Sequence, residues 1–130
     1  MIKLLASVFI GSGLGGVLRF LISRGMEKVI GGPAAVAVFP WATFLVNISG
    51  CFLIGLIYGL IAGDHINVSP ETKAFLTTGF CGGLTTFSTF SHENYLLFEG
   101  NHIGILSVYA AASLITGFAA AWLGHSLAVR

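Results

Sequence analysis

Four apolar runs dominate this sequence, and each is long enough to cross a bilayer as a helix. About 20 consecutive apolar residues are the usual signature of a membrane-spanning helix. Hydrophobic residues make up 55% of the 130-residue chain and charged residues only 8%, far below the roughly quarter-charged composition of soluble domains. The runs are Leu4–Ile22, Trp41–Ala62, Ala74–Phe98 and Ile103–Val129. Because short connections join them, the sequence predicts an all-α membrane protein with four transmembrane helices in one domain, residues 1–130.

The first run is interpreted as a membrane span and not as a cleaved signal peptide. Its apolar part is long for a signal peptide, it contains several glycines, and no small-residue cleavage site follows promptly. The predicted location is therefore the plasma membrane, which is the inner membrane in a Gram-negative cell.

The third run is interrupted by glycines and hydroxyl-bearing residues. Backbone groups freed from a helix find no water in the hydrocarbon core, so irregular backbone there survives only when it is buried in protein or lines a wet cavity. Broken helices are accordingly common at ion and substrate sites. The interrupting residues are Gly79, Gly82, Gly83, Thr85, Thr86, Ser88 and Thr89. They predict a third helix that is broken near the middle of the membrane.

Positive charge is almost evenly divided between the two ends of the predicted spans. Lysine and arginine near span ends normally set the orientation of a membrane protein. One face carries Lys3, Lys73 and Arg130, and the other carries Arg24 and Lys28, with Arg19 if it snorkels outward. This balance favours insertion in both orientations and an antiparallel homodimer with its two-fold axis in the membrane plane. A fixed orientation set by weak biases is the alternative.

Small residues recur every four positions and predict close contacts between helices. Such stripes let helix backbones approach one another in membranes. The stripe residues are Gly11 and Gly15 in the first span, Asn47, Cys51, Gly55, Gly59 and Gly63 in the second, and Tyr109, Ser113, Gly117 and Ala121 in the fourth. The two cysteines, Cys51 and Cys81, are interpreted as small buried hydrophobes without metal-ligand spacing.

Asn47 and the hydroxyls of the third run suit a path for an anion. Taken alone, Asn47 would be interpreted as a residue that hydrogen-bonds a neighbouring helix. The hydroxyls of the third run, however, offer its side chain several partners. Phe87 and Phe90, three residues apart, share a face of the resumed helix, and the positive edge of a phenyl ring attracts anions. Several weak sites let an ion enter and leave quickly. Where the helix is unwound, residues 82–85 expose carbonyls that, paired across a two-fold axis, would enclose a monovalent cation. Without that symmetry, Ser, Thr or water would satisfy the same carbonyls.

Three motifs of this chain resemble the small fluoride-channel family, Fluc or CrcB. The most specific is Thr78-Gly79-Phe80-Cys81-Gly82-Gly83-Leu84-Thr85-Thr86-Phe87-Ser88-Thr89-Phe90; the others are Gly15-Gly16-Val17-Leu18-Arg19-Phe20 and Leu45-Val46-Asn47-Ile48-Ser49-Gly50. The resemblance covers essentially the whole chain. It implies an antiparallel homodimer with two narrow pores that let fluoride leave the cell passively, and a structural sodium ion that is not transported.

The resemblance also assigns residue roles. It implies pore or fluoride-site roles for Asn47, Phe87, Phe90, Ser88, Thr89, Tyr109 and Ser113, and sodium ligation by the backbone carbonyls of Gly82 and Thr85. Arg19 and Glu93 are divided between vestibule roles and ordinary boundary roles. Position 117 is a glycine, whereas some members of the family carry a hydroxyl-bearing residue there. Thr116 is a candidate substitute for that hydroxyl.

Other functions find less support in the sequence. A formal charge of +1 without a basic cluster argues against nucleic-acid binding, and no nucleophile–base pair suggests an enzyme. A small dual-orientation cation exporter is one alternative, although proton coupling there needs a membrane-embedded carboxylate and Glu93 is the only acidic residue in any span. The other alternative is a non-transporting membrane assembly subunit.

Overall fold

Every regular element is helical in the computed structural model, which describes residues 1–30 and 39–130. The elements are α1 (Ile2–Ile30), α2 (Trp41–Ala62), α3 (Pro70–Ala74), a π-helical segment (Phe75–Cys81), α4 (Gly82–Leu84), α5 (Phe87–Glu99) and α6 (Ile103–Val129). Helices α1, α2 and α6 are each long and apolar enough to cross a membrane. An all-α membrane protein is therefore confirmed.

The observed helix bounds match two of the four predicted apolar runs. Helices α2 and α6 begin and end where the second and fourth runs do. Helix α1 extends to Ile30, beyond the predicted end at Ile22, and in this extension Arg24 and Glu27 form an exposed ion pair of 3.2 Å one turn apart. The third run becomes several shorter elements between Pro70 and Glu99.

Helices α2 and α6 pack against each other through glycines. A Cβ on Gly55 would overlap the Ala121 backbone, and one on Gly59 would lie 2.6 Å from the His125 carbonyl oxygen. On the facing side, Gly124 lies against the Phe52 carbonyl. Residue numbers therefore increase in the same direction along both helices, which run parallel. The predicted role of these stripes in close helix contact is confirmed.

Helix α1 packs in the same way against residues 75–84. Gly11 lies against the backbone of Phe75 and Phe80, and Gly15 against that of Phe80 and Leu84. The two segments are again parallel, and the absence of side chains lets their backbones touch.

The glycines of the third run are used for this packing and do not themselves interrupt the helix. A Cβ on Gly79 would lie 3.1 Å from the Val8 carbonyl oxygen, and one on Gly83 would overlap Ser12. Gly82 has helical dihedral angles of −65° and −36°. The prediction that residues 82–85 are unwound is wrong for Gly82, Gly83 and Leu84, which form α4. Regular helical geometry stops only at Thr85 and Thr86.

Candidate ion site

Two extended residues separate α4 from α5, and Asn47 bonds to the second of them. Thr85 and Thr86 have ψ angles of 159° and 120°. The Asn47 side chain of α2 donates from Nδ2 to the Thr86 carbonyl at 3.1 Å and accepts from the Thr86 N–H at 2.8 Å. The amide thus satisfies both backbone groups of Thr86, which is part of the compensation that irregular backbone requires in an apolar setting.

The hydroxyl of Thr86 begins α5 and connects to two other hydroxyls. Its Oγ1 accepts from the Thr89 N–H at 3.1 Å, as an N-cap residue does. The same oxygen lies 3.0 Å from the Thr89 hydroxyl and 3.3 Å from the Ser88 hydroxyl. Three of the predicted hydroxyls therefore form one cluster on the first turn of α5.

The carbonyls of Gly82 and Thr85 are left without a donor among the described residues. Thr85 donates with both its N–H and its hydroxyl to the Cys81 carbonyl, and the Thr86 N–H goes to Asn47. Gly82 is exposed on the surface of the single chain. These two carbonyls are the ones predicted to ligate sodium, and neutral carbonyl oxygens suit a hard monovalent cation.

Aromatic rings form a chain along one side of the helix interruption. The centroids of Phe87 and Phe90 lie 5.9 Å apart, as predicted from their spacing. Phe90 lies 5.1 Å from the ring of Tyr109 on α6, and Tyr109 lies 5.2 Å from Phe39 in an edge-to-face arrangement. Tyr109 is fully buried, whereas Phe87 is 78% exposed on the single chain.

Glu93 connects three helices through both of its carboxylate oxygens. Thr43 of α2 donates to Oε1 at 2.6 Å, and Tyr109 of α6 donates to Oε2 at 2.7 Å. Sequence reasoning missed Thr43, although it lies one helical turn before Asn47 and therefore extends the predicted stripe of α2. The structure thus gives the carboxylate two specific partners, which an ordinary boundary residue does not need.

Two cavities adjoin the first turn of α5. Cavity A has a volume of about 360 Å³, and its lining includes Trp41, Thr43, Thr89 and Glu93. Cavity B has a volume of about 410 Å³, and its lining includes Asn47, Cys51, Cys81, Thr85, Phe90 and Ser113. None of the described residues that line cavity B carries a charge. Cys51 and Cys81, predicted to be separate buried hydrophobes, share this cavity because α2 and the π-helical segment form two of its walls.

The remaining predicted residues differ in their surroundings. The Ser113 hydroxyl is buried in the wall of cavity B and has no partner among the described residues. Thr116 is exposed and donates to the Ala112 carbonyl of its own helix at 2.6 Å. It lines neither cavity. Arg19 is half-buried on α1, and its guanidinium bonds no other described side chain.

Comparison with known proteins identifies the family of this chain. The sequence model described as "CrcB-like protein, Camphor Resistance (CrcB)" matches residues 6–125. This chain belongs to the CrcB family. The predicted family resemblance is confirmed.

Several relatives of this CrcB-family chain are named "Fluoride-specific ion channel FluC". The protein of Flavobacterium psychrophilum is 43% identical over 126 residues, which cover 97% of each chain. That of Azobacteroides pseudotrichonymphae is 39% identical over 98% of this chain and 97% of its own length, and that of Agrobacterium fabrum is 42% identical over 95% and 94%. These names describe an ion channel and not an enzyme, in line with the sequence analysis. Family membership and the three long apolar helices identify a multi-pass protein of the cell membrane.

Proposed function

We propose that this protein is a fluoride-selective channel through which fluoride leaves the cell passively, which reduces fluoride toxicity. The observation that carries the proposal is the bond between Asn47 and Thr86, because it holds an interrupted helix open beside hydroxyls, phenyl rings and two cavities. The names of the relatives agree with this function.

The lining of cavity B suits a small anion that has lost most of its water. Asn47 uses one of its two amide N–H bonds on Thr86, and the second has no partner among the described residues. Ser113 belongs to this lining, with its hydroxyl oxygen buried, and Phe87 and Phe90 offer the positive edges of their rings. Since no described lining residue is charged, each site binds the ion weakly enough for it to leave. Ser88, Thr89 and Tyr109 are proposed to extend the polar path toward cavity A. Thr89 lines that cavity, Ser88 and Thr89 contact the same Thr86 hydroxyl, and the buried Tyr109 holds Glu93 in the cavity wall.

Residues 70–99 are proposed to form a fourth membrane crossing that is broken at Thr85 and Thr86. Its first half runs parallel to α1. It runs antiparallel to α2, since Asn47 meets Thr86 and Ile54 shares cavity B with Thr77. These directions support four alternating crossings within a single domain of residues 1–130, with both chain ends on one face.

An antiparallel homodimer with two pores is proposed because the single chain leaves polar groups uncovered. Gly82, Ser88 and Thr89 are exposed, and the Thr85 carbonyl has no described partner. Lipid tails do not bond such groups, so a second copy is the covering surface we propose. Two copies related by a two-fold axis would place the exposed ring of Phe87 against its partner protomer.

A structural sodium ion is proposed where two copies meet. The Gly82 and Thr85 carbonyls of both protomers would hold it, since these oxygens are free of described donors. Its charge would offset the crowding of the carbonyl dipoles, and it would not be transported. Arg19 and Glu93 are proposed to flank the vestibules, with Glu93 held by Thr43 and Tyr109.

Reporter fusions at the C terminus test the antiparallel arrangement. We expect active reporters on both sides of the membrane, because the charges near the span ends balance. A reporter that reads out on one side only would contradict the dual orientation.

Ion efflux from proteoliposomes tests the proposed function. Purified protein should release fluoride rapidly and chloride scarcely at all, because the neutral lining discriminates by ion size and hydration. Efflux should fall when sodium is removed from both solutions, since the dimer centre would lose its cation. Protein-free liposomes are the control.

The alternatives predict different results in the same assay. Equal release of fluoride and chloride would contradict selectivity. A non-transporting assembly subunit would release neither ion, and a cation exporter would show proton-dependent transport of organic cations without fluoride flux. Flux that is indifferent to sodium would contradict only the proposed ion at the dimer centre.

A further inference from the structure

Gly50 of α2 leaves room for the side chain of the first residue in the helix interruption. It is buried, and it lines cavity B together with Thr85. A Cβ on Gly50 would overlap the γ-methyl carbon of Thr85, and the Thr85 Cβ would lie 3.7 Å away. No other described atom outside α2 lies within 4 Å of that position. The γ-methyl group of Thr85 is therefore the one obstacle on the facing segment to a side chain at position 50.

Two contacts fix the side chain of Thr85. Its hydroxyl donates to the Cys81 carbonyl at 2.9 Å, and its γ-methyl group lies against Gly50. Both groups are bonded to the same Cβ, so a rotation of the side chain that withdraws the methyl group from Gly50 also breaks the hydroxyl bond. Thr85 therefore has no costless way to make room for a larger residue at position 50.

The peptide group that follows Thr85 is fixed by the same helix. The Thr85 carbonyl and the Thr86 N–H belong to one peptide group, and the described peptide bonds are trans. In a trans peptide these two groups point in opposite directions. The Thr86 N–H donates to the Asn47 side chain at 2.8 Å, so the Thr85 carbonyl points away from that side chain. Helix α2 thus fixes both the direction of this carbonyl, through Asn47, and its distance from α2, through Gly50.

We propose that Gly50 is a positioning residue for the Thr85 carbonyl. The γ-methyl group packed on Gly50 sets how closely the helix interruption approaches α2, and therefore the place from which the carbonyl oxygen projects. This inference rests on the proposed function, in which that oxygen helps to hold a sodium ion between two protomers. A side chain at position 50 would displace the oxygen and weaken the binding of sodium.

The same substitution in two backgrounds tests the proposed contact. Gly50→Ala should slow fluoride efflux from proteoliposomes roughly tenfold or more, because its methyl group overlaps that of Thr85. In Thr85→Ser protein, Gly50→Ala should slow efflux less than about twofold. Serine keeps the hydroxyl that bonds Cys81 and lacks only the γ-methyl group, so the alanine then meets the Cβ of residue 85 at an ordinary contact distance of 3.7 Å.

Gly59→Ala is the matched control on the same helix. A Cβ there would lie 2.6 Å from the His125 carbonyl oxygen of α6, and Thr85 is not among its nearest neighbours. Substitutions at separate sites without shared partners have additive effects. Gly59→Ala should therefore slow efflux by the same factor in both backgrounds. Rescue of Gly59→Ala by Thr85→Ser would reveal a general gain in tolerance and would overturn the specific contact with Gly50.

The thermal midpoint in detergent gives a second readout that does not depend on transport. Sodium chloride is titrated against choline chloride at constant ionic strength, since a cation that binds only the folded protein raises the midpoint by mass action. Gly50→Ala should need roughly tenfold more sodium for half of this rise, and Thr85→Ser should remove most of the difference. A packing defect alone would lower the midpoint and leave the half-effective sodium concentration unchanged.

The outcomes that overturn the inference differ from failure of the channel function. Equal slowing of efflux by Gly50→Ala in both backgrounds would overturn it, as would an unchanged half-effective sodium concentration. A midpoint of the unaltered protein that sodium does not raise would overturn it as well, because the Thr85 carbonyl would then hold no cation. Absence of fluoride efflux from the unaltered protein would mean that the channel function has failed, and the sodium titration would still decide the role of Gly50.

Discussion

Replacement of Asn47 with aspartate is expected to abolish fluoride efflux. The carboxylate keeps an acceptor for the Thr86 N–H but loses the donor to the Thr86 carbonyl, which now faces an oxygen. A buried carbonyl that loses its partner costs about 1–3 kcal/mol, and the new negative charge repels an approaching anion. Efflux from proteoliposomes measures the repulsion of the anion, and thermal unfolding in detergent measures the cost of the lost hydrogen bond.

Asn101→Asp is the matched control because it makes the same chemical change on an exposed turn. Asn101 has a φ of 58° between α5 and α6, a conformation that aspartate also tolerates. The fluoride efflux and the thermal midpoint of the Asn101→Asp variant should stay close to those of the unaltered protein. If Asn47→Asp conducts as well as this control, the assignment of Asn47 to the ion path is wrong.

Gly55→Ala should separate α2 from α6 and lower the stability of the protein. The added methyl group would overlap the backbone of Ala121, which has no flexible side chain to move aside. Overpacking of this kind costs about 1–3 kcal/mol. We expect a lower thermal midpoint and a broader size-exclusion profile in detergent, together with reduced efflux, because α2 and α6 form two walls of cavity B.

Gly104→Ala provides the comparison. A Cβ at this position of α6 meets nothing within 4 Å, and alanine is a better helix former than glycine. Its midpoint should be equal or higher. Equal stability of Gly55→Ala and Gly104→Ala would show that α2 and α6 pack less closely than the structure indicates.

The sequence predicted the helices better than it predicted the interruption. The bounds of α2 and α6 follow from hydropathy alone, because a helix in lipid must be apolar along its whole length. In the third run the glycines were expected to unwind the helix. They remain helical, and α1 lies so close to Gly79 and Gly83 that no side chain fits there. This proximity is a tertiary property.

The candidate site residues also divide into those whose contacts local spacing predicted and those whose contacts only the tertiary structure revealed. The spacing of Phe87 and Phe90 predicted their neighbouring rings, since three residues separate neighbours on one helix face. The bonds from Thr43 and Tyr109 to Glu93 join residues 50 and 16 positions apart. No local pattern indicates such a pairing.

Hydropathy, helical spacing and the distribution of glycines were sufficient to indicate a helical membrane protein, its close-packed stripes and the residues near an ion path. These properties depend on each residue and its neighbours along the chain. Tertiary packing alone decided that Asn47 would bond both backbone groups of Thr86, that Glu93 would join three helices, and that Cys51 would border the cavity beside Gly117. The physical reason is that hydrogen bonds and cavities depend on distances between helices, which are set by how closely their backbones approach.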